Sequence, residues 1–168
     1  MTTQDLTQTG TPTFDKINLT DPPSFFAYNT VSVNNVTGDG TAYQVIYDTE
    51  AYDNGTDYNT STGVFTAPVD GAYLFTVSIF LKAVGASHTV GEIDLVTSNA
   101  TYRLNILNYA AIRNSTNDLV LSASTLCELD ASDTAHIEVR VTGGTKVIDL
   151  GVSDRLSSFA GVKVSDIT

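Results

Sequence analysis

From Ala135 to Thr142 the chain alternates strictly: Ala135, Ile137, Val139 and Val141 fall on one side, His136, Glu138, Arg140 and Thr142 on the other. A period of two is that of an extended strand with one buried face, and it is incompatible with a helix, whose apolar stripe recurs every ~3.6 residues. Gly143 and Gly144 follow as a turn. A second row, Tyr73, Phe75, Val77, Ile79 and Leu81, is backed by Leu74, Thr76, Ser78, Phe80 and Lys82, a face polar only in part, so this strand is expected to be covered on both sides. Shorter rows run through Thr41, Tyr43, Val45 and Tyr47 and through Tyr102, Leu104 and Ile106, with turn chemistry at Asp53-Asn54-Gly55 and Asp70-Gly71. No stretch of a dozen residues carries a capped helical stripe, so the reading is an all-β antiparallel jelly roll or sandwich with no substantial helix.

The 168 residues suffice for one domain with a proper core. Residues 1–23 are polar, contain Gly10, Pro12, Pro22 and Pro23, and show no periodicity, which predicts an extended arm; the jelly-roll domain is expected over 24–168. A formal charge of −11 repels phosphate backbones, so nucleic acid is excluded as a natural partner. No run approaches the ~20 apolar residues that membrane insertion needs, and Met1 to Gln8 lacks the basic start and apolar core of an export signal. The single cysteine, Cys127, alternates with Leu121, Ala123, Thr125 and Leu129 and is expected to point into the core as a free thiol.

The segment from Tyr58 to Phe75, YNTSTGVFTAPVDGAYLF, is more specific. Together with Asp53, its Tyr58, Phe65, Gly71, Tyr73 and Phe75 fall at the intervals of the signature of the complement C1q and tumour-necrosis-factor superfamily, which the chain resembles. Phe65, Tyr73 and Phe75 are anchors large enough to dominate burial, and Pro68 and Gly71 bracket a tight corner. Phe25-Phe26-Ala27-Tyr28-Asn29 looks like the family's opening strand, and Ser158-Phe159-Ala160-Gly161-Val162 like its closing one. Three positions depart from the pattern: Tyr47 stands for an early Phe, Val77 for an aromatic, and Ser132 for the Gly before Asp133. The resemblance implies a ten-stranded jelly roll with both termini at its base, a homotrimer packed about a threefold axis, and structural roles for Tyr58, Phe65, Pro68, Gly71, Tyr73, Phe75, Phe159 and Gly161.

A weaker likeness lies in the arm, where Thr9 to Thr20 is similar to connector segments of bacteriophage fibres. With it the expectation is a virion fibre tip, joined to the rest of the fibre through the arm and binding a host cell-surface glycan or protein receptor. The alternatives are a structural trimerisation or capsid-decoration module and a secreted ligand, extracellular or at the cell surface.

Enzymatic chemistry finds little support. Only His88 and His136 could serve as a base, no phosphate loop, zinc spacing or nucleophile elbow is present, and both histidines read as surface residues, His88 in a loop. Asp48, Glu50, Asp53 and Asp57 form an oxygen-rich segment of the kind that holds calcium in some family members, though their spacing is not that of an EF-hand. Six Asn-x-Ser/Thr triplets, at Asn18, Asn35, Asn54, Asn59, Asn99 and Asn114, follow from composition alone. Ligand contacts are expected on loops, around His88, Asn99 and Asn114.

Overall fold

The computed structural model describes residues 21–167, so nearly all of the expected arm lies outside the described residues. Thirteen strands and one helical turn follow in order: β1 Ser24–Tyr28, β2 Val33–Thr37, β3 Ala42–Val45, β4 Thr49–Asn54, β5 Tyr58–Asn59, β6 Val64–Thr66, β7 Gly71–Lys82, β8 Val90–Thr97, β9 Thr101–Leu107, α1 Tyr109–Ile112, β10 Leu119–Leu129, β11 Thr134–Thr142, β12 Ile148–Leu150 and β13 Ser158–Ser165. The count exceeds the ten expected because short pieces such as β5 and the β2–β12 pair add strands to the same jelly roll.

All pairings are antiparallel. In the first sheet β7 is flanked along its full length by β10 on one edge, and by β13 and then β12 on the other; β1 and β4 continue beyond β13. The second sheet centres on β11, which pairs with β8 on one side and with β3 and β6 on the other, while β9 lies outside β8. Alternation on each strand turns one set of side chains into the space between the sheets. Ile137 and Val139 of β11 and Phe75, Val77 and Ile79 of β7 are all buried in the one hydrophobic core.

Phe25 is the hub of the aromatic core. Its ring stacks on Tyr58 at 4.8 Å and on Phe65 at 5.1 Å, and meets Phe159 edge-on at 5.0 Å, geometries that aromatic quadrupoles favour. Gly161 makes this approach possible, since a Cβ there would sit 2.6 Å from the Phe25 ring and 2.7 Å from that of Phe75. Tyr47 and Val77, two of the departures from the family pattern, are both buried in the core. The Tyr58 hydroxyl accepts from the Tyr47 N–H and donates to the Tyr47 carbonyl, each at 3.2 Å, tying β5 to the connection between β3 and β4. Cys127 points inward from β10, and burial pushes its thiol up to about 11.

The third departure is explained by backbone geometry. Ser132 adopts φ 77°, the left-handed conformation that glycine holds without strain, and its N–H donates to the Ala67 carbonyl at 2.7 Å. The Asp133 carboxylate then accepts from Ser98, Asn99 and the Asp130 N–H, so side chains hold the turn shut. Ser132→Gly is expected to stabilise the domain by about 0.5 kcal/mol, relief of left-handed strain outweighing the freedom glycine adds to the unfolded chain. A shift in the denaturation midpoint measures it, and a loss of stability would show that the turn is not strained.

Candidate binding surfaces

The sandwich has two distinct ends. At the base the Lys163 N–H donates to the Pro23 carbonyl at 2.9 Å, so the first and last described strands leave together beside Pro68, Val69 and Asp70. At the opposite, distal end the loops after β2, β7 and β11 converge on His88. This corrects the expectation of a surface histidine: the ring is only 2% exposed. Nδ1 accepts from the Gly85 N–H at 2.8 Å, which places the ring proton on Nε2, 3.2 Å from the Thr145 carbonyl it can donate to. A Cβ on Gly144 would stand 2.3 Å from Nε2 and one on Gly38 3.0 Å from it, so backbone from two further loops closes around the ring. The His88 carbonyl also accepts from the Ala110 N–H of α1, drawing the β9–β10 connection into the cluster.

Of the other expected ligand contacts, Asn114 is distal and shapes its own loop, its Oδ1 accepting from the N–H groups of Thr116 and Asp118. Asn99 lies at the base, where its amide donates to Asp133. The three residues therefore form no single site. His136 stays on the outward face of β11, 3.5 Å from Glu138.

Nor do the four acidic residues converge. Asp48 caps the turn after β1, accepting from the N–H groups of Thr30 and Val31, and Glu50 is exposed on β4. Asp53 accepts from the Tyr58 N–H. Among the described residues no group of three or more carboxylate, histidine or cysteine side chains is arranged to hold a metal, so the set does not fit calcium within one protomer. Asp53 and Asp57 each keep one buried oxygen without a partner, and Asp57 is held above the usual carboxylate range by burial and then by the Asp53 charge. The folded chain thus binds this proton more tightly than the unfolded chain, so the ionised group costs stability above that range and the cost disappears as pH falls through it. Asp57→Asn is expected to raise the melting temperature by about 1–2 °C at pH 7, a modest gain because the residue is only partly buried, and to leave it unchanged at pH 3. Equal gains at both pH values would refute this account.

The outward faces of the two sheets differ sharply. On the second, Arg103 of β9 grips Asp94 of β8 at 2.9 Å and Glu92 at 2.8 Å, with Arg140 of β11 3.7 Å from Glu92, so the charges are matched within the protomer. On the first sheet the outward positions of β7 and β10 carry no charge between Glu128 at the base and Lys82 at the distal end. Hydroxyls of Thr76, Ser78, Ser122 and Ser124 line a shallow dent at mid-height. Leu126 and Tyr52 are 56% and 52% exposed, and Phe26 lies between Tyr52 and Tyr28 with ring centres 6.5 and 6.3 Å apart. Sequence reasoning found the half-polar face of β7 but missed the ladder formed with β1 and β4, because it depends on pairing between strands about 25 residues apart.

The architecture is that of known proteins. The globular domain of zebrafish complement 1qA superposes with a TM-score of 0.62 at 19% identity, covering 88% of this chain and 100% of that one. Two structures of murine APRIL, at pH 8.5 and pH 5.0, give TM-scores of 0.57 and 0.58 at 9% and 12% identity, covering 84% and 86% of this chain and 98% and 100% of theirs. No curated protein matches it in sequence. The C1q domain family itself matches residues 25–162, from the first strand to the last. The chain therefore belongs to the C1q domain family, whose members are binding domains rather than enzymes.

Proposed function

We propose that the chain is the head of a fibre-like assembly, a homotrimer that buries the outward face of its first sheet and presents its distal loops to a glycan or protein on a host cell surface. The observation that carries this reading is the contrast between the two outward faces. A nearly uncharged face with exposed aromatic and aliphatic residues costs free energy in water unless another surface covers it, and domains of this family typically trimerise. Three copies about an axis running from base to distal end would place every base on one side, where a stalk attaches, and every distal loop cluster on the other. The likeness of Thr9 to Thr20 to fibre connectors supports a stalk on the base side, and hence a location on a virion or another extracellular surface. Loops stapled by His88 are rigid enough to hold weak contacts in register, and three copies multiply them.

Light scattering on the full chain tests assembly: a mass near three times 17.9 kDa is expected, and a monomer at micromolar concentration overturns it. Repeating it with a chelator shows whether calcium joins the protomers. Saturable adsorption to one cell type or glycan, abolished by Ala86→Trp in the distal loop, supports receptor binding. A stable trimer with no adsorption across a broad panel favours a structural trimerisation module instead.

A further inference from the structure

β4 is the outermost strand of the first sheet, so its outer side has no partner strand. Its last residue, Asn54, pairs with Ser24 of β1, and the Asn54 side-chain amide donates to Ser24 Oγ at 3.2 Å. Gly55 follows with φ 117° and Thr56 with φ 62°, and all three residues are exposed to water. Among the described residues the Gly55 N–H donates to no acceptor, since the pairing with β1 ends at Asn54. This is also the one place in the chain where glycine follows asparagine. The nitrogen after an asparagine can close a five-membered ring on the side-chain Cγ, and two things ordinarily prevent it: the Cβ of the following residue shields the nitrogen, and a hydrogen bond fixes the N–H. Glycine lacks the first and this position lacks the second. What remains is the extended backbone of Asn54, maintained by one terminal rung, and strand ends open far more readily than a core.

The other susceptible pairs are closed by their surroundings. Asn114 precedes Ser115, but its Oδ1 accepts from the Thr116 N–H at 3.0 Å, the Thr116 hydroxyl at 2.8 Å and the Asp118 N–H at 2.8 Å, which holds the side chain still. Asp39 precedes Gly40, whose N–H is bonded to the Val141 carbonyl at 2.8 Å. Asp70 precedes Gly71, which is buried at the head of β7, and the Asp70 carboxylate accepts from the Ala131 N–H at 2.7 Å.

We infer that Asn54 is a site of spontaneous modification, converted by the Gly55 nitrogen to a mixture of aspartate and isoaspartate that loosens the β4 edge at the base of the domain. The nitrogen loses its proton to solvent hydroxide and bonds to Cγ; the Cγ–Nδ2 bond breaks, and the amide nitrogen leaves as ammonia, taking a proton from water. Water then opens the cyclic imide, giving aspartate when it attacks Cγ and isoaspartate when it attacks the backbone carbonyl. Either product adds a carboxylate to a stretch that already carries Asp53 and Asp57, each with one buried oxygen lacking a partner. Isoaspartate also inserts a carbon into the backbone, which breaks the register of β4 with β1. None of this depends on assembly. The test holds the full chain at neutral and mildly alkaline pH and follows it by peptide mass mapping. Asn54 is expected to convert at least about tenfold faster than any other asparagine, and faster at the higher pH. Asn54→Gln, which must close a six-membered ring, is expected to abolish the conversion. Aged protein should exchange amides faster than fresh protein across 24–28 and 49–54, whereas freshly prepared Asn54→Asp, with the charge but no extra carbon, should not. An Asn54 that converts no faster than Asn114 would overturn the site, and unchanged exchange in converted protein would overturn the loosening.

Discussion

Phe25→Ala should cost about 3–5 kcal/mol, a large share of the ~5–15 kcal/mol that holds a domain of this kind together. The ring is fully buried and in contact with Tyr58, Phe65 and Phe159, so its removal leaves a cavity in the one place where strands from both sheets meet through aromatic faces. Its neighbour Phe26 faces the other way, towards Tyr28 and Tyr52. Phe26→Ala should therefore cost the isolated protomer under about 1 kcal/mol while weakening self-association. Denaturant titration of the two variants at low concentration separates them. A loss below about 1.5 kcal/mol for Phe25→Ala would mean that the core closes without its hub.

His88→Ala should cost about 3 kcal/mol, since it empties a closed cradle, leaves the Gly85 N–H without its acceptor and takes from the Thr145 carbonyl one of its two donors, the other being the Val147 N–H. The damage should be local. Amide exchange is expected to accelerate across 84–89 and 143–145 before the core strands respond, because the ring joins loops that share few other bonds. His88→Asn can offer an oxygen near the position of Nδ1 but cannot reach Thr145, so it should retain protection at Gly85 and lose it at Gly144. Uniform acceleration through the domain would show that His88 stabilises the whole sandwich and is not a staple of its distal end.

What the sequence disclosed was governed by range. The alternation on β7 and β11 and the spacing of Phe65, Tyr73 and Phe75 are local patterns, and they carried the all-β assignment and the family resemblance. Ser132 looked like a flaw in that resemblance because its left-handed backbone leaves no mark in the residue itself. His88 was misjudged for another reason. Its surroundings are backbone groups of Gly38, Gly85, Gly144 and Thr145, two of them more than fifty residues away, so nothing near it in the chain announces a buried ring. The β2–β12 pairing, fastened by the Asn35 N–H on Asp149 across 114 residues, was hidden in the same way. Arg155 lies in a polar loop, and only β1 reveals that aromatic rings lie beneath it.

The inward thiol of Cys127 bears on chemical modification. With its ionisation pushed up to about 11, only about one molecule in ten thousand carries the thiolate at pH 7, and the side chain is 5% exposed. Thiol-directed reagents should pass over the native protein. A cysteine introduced at Ala86 would then be the sole reactive handle, allowing a dye or a surface tether to be fixed at the distal loops without altering the residue that β10 keeps inside.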